Sequence, residues 1–142
     1  MHKQMRYLAM ICAGLLLLAG CGKKEAPQVV GDTSEKPQIV DLSYEVVGNV
    51  LELKFSLAGD PAGLGYQIDR TQVDPYCHCL DIWRRYYERP AMKQQVGTPL
   101  TRPINLKTDK VEFVFRIRAI DRFGNFGPWS KAIHARAVDL SK

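Results

Sequence analysis

From Pro37 to Leu140, apolar and polar residues alternate over short stretches separated by Gly, Pro and Asn, the pattern of half-buried strands joined by turns. Val50 to Leu57 is the clearest stretch: Leu51, Leu53, Phe55 and Leu57 fall on one face, and Glu52, Lys54 and Ser56 on the other. Leu64, Tyr66 and Ile68 alternate with Gly65, Gln67 and Asp69, and Phe113, Phe115, Ile117 and Ala119 alternate with Val114, Arg116, Arg118 and Ile120. Weaker alternation predicts a strand before the turn at Gly48-Asn49, a short strand from Leu100 to Leu106 interrupted by Pro103, and a last strand over Ile133 to Val138. Gln72 to Thr98 shows no such period and reads as a long irregular stretch. About seven strands with no amphipathic helix predict an all-β sandwich.

The chain before Pro37 follows another pattern. His2, Lys3 and Arg6 precede an uncharged apolar run, Tyr7 to Ala19, which falls short of the roughly 20 residues a spanning helix needs. A basic start followed by such a run is a signal-peptide profile. Gly22 to Lys36 is polar, carries Pro27 and Gly31 and lacks periodicity, so it reads as a flexible tether with a root-mean-square span of roughly 20 Å. The expected organisation is a removable signal peptide over 1–20, a tether over 21–36, and one domain over 37–140 with an insert at 72–100.

The formal net charge of +5 would suggest an anionic partner, but Lys3 and Arg6 leave with the signal peptide and the other basic residues are scattered among 15 acids. No nucleic-acid partner is expected of so mild a balance. Of the four cysteines, Cys12 lies in the signal peptide and Cys21 at its end. Cys77 and Cys79 remain, and after export to an oxidising compartment they are expected to be bonded to each other.

Leu17-Leu18-Ala19-Gly20-Cys21 resembles the lipobox of bacterial lipoproteins: branched residues, two small residues, then a cysteine. The resemblance implies that Cys21 is diacylated before cleavage and becomes a lipid-bearing N-terminus, so that the membrane is itself a partner. The absence of Asp at position 22 implies, by the same resemblance, the outer membrane facing the periplasm. Cys21-Gly22-Lys23-Lys24 is also similar to the start of small lipoproteins that help mature the lipopolysaccharide-export translocon, whose Gly-Pro-Leu continuation is replaced here by Glu25-Ala26-Pro27.

Phe113 to Asp121, followed by Gly124-Asn125-Phe126-Gly127-Pro128-Trp129-Ser130, resembles the F strand, FG loop and G-strand start of bacterial fibronectin type III domains. Leu51 to Phe55 is similar to the B strand and Tyr66 to Arg70 to the C strand. Two positions depart from that family. Phe55 stands where a core tryptophan is usual, and Phe113 replaces the tyrosine of the tyrosine corner. The lost hydroxyl bond is worth about 1 kcal/mol, which costs stability and not the fold. The segment between strands C and E is also longer than the family requires.

That segment holds the most chemical-looking residues. Cys77-His78-Cys79 could pin the loop as a local disulfide, act as a labile redox pair, or supply metal ligands, although a structural zinc site wants four ligands and His134 is the other histidine of the mature chain. Trp83, Tyr86 and Tyr87, interleaved with Arg84, Arg85 and Arg89, could form a contact surface for an envelope protein, anionic lipid or polysaccharide phosphate. The blander alternative is a strand that buries Ile82, Tyr86 and their neighbours and leaves its arginines solvated. Phe123 and Phe126 in the FG loop are further recognition candidates. Arg116 and Arg118 are expected on one outer face with Arg136 beside them, Asp69 as counter-charge and Trp129 able to stack on a guanidinium.

No nucleophile elbow, phosphate-cradling glycine loop or His-Glu-x-x-His is present, so no catalytic residue, cofactor or metal is expected. The expected role is a membrane-anchored, non-enzymatic binding or scaffolding module. The alternative is an outer-membrane assembly or maturation factor with a redox-sensitive Cys77, Cys79 pair.

Overall fold

The computed structural model describes residues 35–93 and 96–138. The expected signal peptide, Cys21 and nearly all of the expected tether lie outside the described residues. Seven strands form: β1 (Gln38–Val47), β2 (Val50–Ala58), β3 (Leu64–Gln72), β4 (Arg84–Met92), β5 (Leu100–Asn105), β6 (Phe113–Asp121) and β7 (Ile133–Ala135). They make a three-stranded sheet in the order β1-β2-β5 and a four-stranded sheet in the order β4-β3-β6-β7, with every pairing antiparallel. This is an all-β, fibronectin type III-like sandwich.

The period-two residues close the core as their pattern predicts. Leu51, Leu53, Phe55 and Leu57 of β2 face Leu64, Tyr66 and Ile68 of β3 and Phe115, Ile117 and Ala119 of β6, all buried. Phe55 meets Tyr66 edge-on, ring centres 4.9 Å apart, so the phenylalanine fills its core position with an aromatic contact. Phe113 is likewise buried, with the Arg70 guanidinium 5.0 Å from its ring centre.

Five sequence expectations need correction. The stretch read as irregular contains β4, so most of the supposed insert at 72–100 is loop plus a strand of the sandwich itself. Its period is lost because the β3–β4 pairing shifts register between Ile68 and Asp69, and Tyr86 and Tyr87 both pack against the core. Ile82, expected to be buried if a strand formed here, lies ahead of β4 and is 72% exposed. Pro103 does not interrupt β5, because β5 is an edge strand and a proline there forfeits no central ladder bond. The last strand stops at Ala135, and Arg136 turns away from Arg116 and Arg118 to donate from Nε to the Asp109 carbonyl at 2.9 Å.

Candidate functional site

The outer face of the four-stranded sheet carries a charged and aromatic layer. Register places Asp69 opposite Arg116 and Gln67 opposite Arg118 on β6, and the same two β3 residues opposite Arg85 and Glu88 on β4. Arg85 Nε donates to Asp69 Oδ1 at 2.6 Å, Arg116 Nη2 to Asp69 Oδ2 at 3.1 Å, and Arg85 Nη1 to Glu88 Oε2 at 2.6 Å. Gln67 links the layer in both directions, donating to Glu88 at 3.0 Å and accepting from Arg118 Nε at 3.0 Å.

Three rings lie over these cations. The Arg116 guanidinium is 4.3 Å from the Trp83 ring centre and 4.2 Å from that of Trp129. Arg118 is 4.2 Å from Trp129 and 3.7 Å from Phe126. A ladder results in the order Trp83, Arg116, Trp129, Arg118, Phe126. Burial beneath it, reinforced by the charges of Arg85 and Arg116 against the counter-charge of Asp69, draws the Arg118 pKa below the ordinary arginine value. Gln67, Asp69 and Thr71 are buried under this cover, so β3 is enclosed on both faces. The layer is a polar second core in which Asp69 and Gln67 have hydrogen-bond partners, while Arg116 Nε is buried without an acceptor among the described residues and has only the two indole rings against its guanidinium.

The loop from Val73 to Trp83 is the second concentration of unusual side chains, and hydrogen bonds preform it. Asp74 Oδ1 accepts from the amides of Tyr76 at 2.8 Å and Cys77 at 3.1 Å, the local capping that Asp provides in turns. Those two bonds hold the Asp74 carboxyl below the usual aspartate range. The Asp74 amide donates to the Cys79 carbonyl at 2.9 Å, the His78 amide to the Asp74 carbonyl at 2.9 Å, and the Asp81 amide to the Gln72 carbonyl at 3.0 Å. Thr71 Oγ1 donates to the Asp81 carbonyl at 2.7 Å and ties the loop to β3. Cys77 and Cys79 sit at disulfide-bonding distance, with Cα atoms 5.2 Å apart, and both are exposed. Among the described residues no group of three His, Cys, Asp or Glu side chains is arranged to hold a metal ion.

On this stapled loop, apolar side chains point to solvent: Tyr76 is 93% exposed, and Leu80 and Ile82 are also exposed. The cleft at its base, lined by Arg70, Asp81, Ile82 and Arg84, holds about 160 Å³. That is below the range of small-molecule pockets, so the loop's chemistry suits contact with a surface.

The sequence-predicted residues are spread over the sheet and its loops and do not gather in one place. Trp83 and Phe126 join the ladder, and Arg85 joins the hydrogen-bonded layer beneath it. Tyr86 and Tyr87 pack inward, Tyr86 edge-on to Phe115 and Tyr87 beside Tyr66. Arg84 is exposed at the start of β4, and Arg89 donates to Met92 Sδ near the strand's end. Phe123 stands exposed beside the Arg122 guanidinium, 4.6 Å from its ring centre. His134 points outward, with Nδ1 2.6 Å from Glu112 Oε1. Gln67 and Glu88 complete the ladder and carry no sequence signal of their own, since their roles follow from the β3–β4 register. Leu80 and Ile82 could be suspected only as apolar residues in a segment without period.

No family model matches the chain, and no curated protein matches it. Among solved structures it is similar to one described as a myokine structure, at 15% identity over 70% of this chain and 94% of that one, with a TM-score of 0.47.

Proposed function

We propose that this chain is a lipid-anchored bacterial envelope lipoprotein whose sandwich is a non-enzymatic binding module. Leu17-Leu18-Ala19-Gly20-Cys21 supports the anchor, and Gly22 in place of Asp supports the outer membrane facing the periplasm. The observation that carries the binding role is the stapled Val73–Trp83 loop, which holds Tyr76, Leu80 and Ile82 in solvent on a hydrogen-bonded frame. Apolar side chains kept exposed by a rigid frame lose little entropy when a partner covers them. The partner is an envelope protein or polysaccharide surface.

Crosslinking and co-purification of the full-length lipidated protein test this reading. Tyr76→Ser combined with Ile82→Ser is expected to strip bound partners while leaving the domain folded. An unchanged set of captured partners defeats the assignment. Point substitutions are required, because deleting Gln72 to Thr98 would remove β4 as well.

A second reading, an outer-membrane assembly or maturation factor, is favoured by one feature, the exposure of both Cys77 and Cys79. Thiol counting by mass spectrometry on protein from its native compartment separates the two. Full disulfide occupancy fits the structural staple, and mixed occupancy fits redox cycling.

A further inference from the structure

The domain has two chemically different ends, and Pro37 marks one of them. A Cβ on Gly127 would run into the Pro37 carbonyl oxygen, and one on Gly59 would lie 3.2 Å from Pro37 Cα. Gly59 leads into the loop to β3, where the Gly63 carbonyl accepts from the Arg122 amide at 3.1 Å and Asp60 lies 3.3 Å from Arg122 Nε. Leu64, the first residue of β3, pairs with Asp121 on one side and Met92 on the other. The chain therefore joins the sandwich beside the FG loop and the end of β4. The stapled loop leaves β3 at its opposite end, after Gln72, about 26 Å away at a rise of about 3.3 Å per residue.

The Pro37 end presents its own apolar groups. Phe123 is 38% and Phe126 47% exposed, on a loop bent by Gly124 at φ 82°, and Met92 is exposed next to Leu64. Lys36, Lys93 and Arg122 are exposed at the same end.

We infer that this end is a membrane-contact face, on which Phe123 and Phe126 enter the interfacial region of the lipid surface that holds the anchor and the cationic side chains meet lipid phosphate. The inference rests on the lipoprotein reading of Cys21. Two partly exposed phenylalanines bind a bilayer weakly by themselves. On the sequence reading of residues 22–36 as a tether spanning roughly 20 Å, joining at the same end holds them near that surface at an effective concentration on the order of millimolar. The diacylated cysteine already supplies persistent attachment, so what this added contact contributes is orientation of the domain. Contact through this end turns Tyr76, Leu80 and Ile82 away from the membrane, toward the space in which a partner is met.

The test is solution NMR of the isotope-labelled, full-length lipidated protein in nanodiscs of phosphatidylethanolamine and phosphatidylglycerol, with and without headgroup spin-labelled lipid. Mass spectrometry of the N-terminal peptide reports acylation separately. Paramagnetic broadening is expected to be several-fold stronger for the amides of Arg122 to Phe126 than for those of Tyr76 to Ile82. Phe123→Ser, which removes a ring packed on Arg122, is expected to reduce that contrast, and Phe123→Trp to keep it. Equal broadening at both ends of an acylated protein, or stronger broadening at the stapled loop, overturns the orientation alone. An unacylated Cys21 overturns the anchor and the orientation together.

Discussion

Arg102 of β5 and Tyr87 of β4 belong to opposite sheets and meet where two edge strands close the sandwich, the guanidinium carbon 3.7 Å from the ring centre. Tyr87 also packs beside Tyr66, ring centres 5.6 Å apart, so the cation covers an aromatic stack that reaches the core. Burial first, and the neighbouring Tyr87 second, raise the Tyr66 pKa above the usual tyrosine value. A double-mutant cycle with Arg102→Met and Tyr87→Leu should give a coupling of about 1 kcal/mol, the worth of a partly desolvated cation–π pair. Urea denaturation measures it, and additive effects of the two substitutions would show that the contact stabilises nothing.

The outer ladder makes an ordering prediction. Trp129 covers both Arg116 and Arg118, whereas Trp83 covers Arg116 alone. Trp129→Ala should therefore destabilise more than Trp83→Ala, by about 1 kcal/mol beyond the difference in packing. Chemical denaturation of the two variants gives the order, and the reverse order would refute the ladder as the source of stability on this face.

Asp69 ties that ladder to the sheet. Its carboxylate accepts from Arg85 on one neighbouring strand and Arg116 on the other, while its own side chain is nearly buried. Asp69→Asn keeps the shape but removes the charge and replaces one of the two acceptor oxygens with an amide donor, so one guanidinium loses its acceptor and both lose the counter-charge. Both cations are partly exposed, which reduces the penalty below that of a fully buried pair. A loss of about 2 kcal/mol is expected, in the range of hydrogen bonds to charged groups. A midpoint in urea equal to that of the parent protein would contradict it.

How far the sequence reveals these features depends on how each element is buried. β2 and β6 keep a strict two-residue period with one apolar face, so Leu51 to Leu57 and Phe113 to Ala119 announce both strands and core. β4 hides its strand character, because the register shift turns Tyr86 and Tyr87 to the same side and its arginines lie on an edge. Without β4 in place, Trp83 cannot be related to Arg116, nor Glu88 to Gln67, since each pair is distant in the chain and joined only by register. Asp69 and Gln67 have a different difficulty: they read as exposed polar residues of an alternating strand but are buried by the aromatic layer above them. Trp129 over a guanidinium was within reach because Arg116 and Arg118 share a face by period alone. The exposure of Tyr76, Leu80 and Ile82 has no periodic signature at all.

Gly65 fixes where β4 lies. A Cβ there would overlap the Arg89 carbonyl oxygen and would come within 2.7 Å of the Pro90 carbonyl carbon, both parts of the β4 backbone. The bulged β4 crosses β3 at this point, between the Leu64 and Tyr66 pairings. Gly65→Ala should therefore push β4 outward and cost about 2 to 3 kcal/mol, as overpacking of a closed contact does. Because Arg85 and Trp83 move with β4, tryptophan fluorescence should change along with the denaturation midpoint. A neutral substitution would mean that the strand gives way locally.

The stapled loop has its own pH dependence. The folded pKa of Asp74 lies below its unfolded value because the Cys77 and Tyr76 amides bond to the charged carboxylate. A depressed acid pKa contributes order that is present above the unfolded value, near 3.8, and is lost as pH falls through the folded one. The amide resonances of Tyr76 and Cys77 should therefore shift together in acid, with a midpoint below that of an ordinary aspartate, while core amides stay in place. Asp74→Asn should abolish the titration. A midpoint at or above the ordinary aspartate value would reverse the sign of the effect.

Reduction of the Cys77–Cys79 pair should act on the loop and spare the fold. The ring that this pair closes contains one intervening residue, His78, so its effect on the unfolded chain is small, about 1 to 2 kcal/mol at most. The sandwich core is built from residues elsewhere, and the loop reaches it through backbone bonds at Gln72 and through Thr71. In Cys77→Ser combined with Cys79→Ser, hydrogen exchange at the Asp74 and His78 amides should accelerate strongly, because their acceptors at Cys79 and Asp74 are no longer held in register. The amides of Ile68 and Ile117, in the central strands β3 and β6, should keep their protection. Equal acceleration in loop and core would show that the staple supports the whole sandwich. Unchanged exchange in both would show that Asp74 and Thr71 hold the loop without it, and the exposed apolar side chains would then keep their positions in the reduced protein.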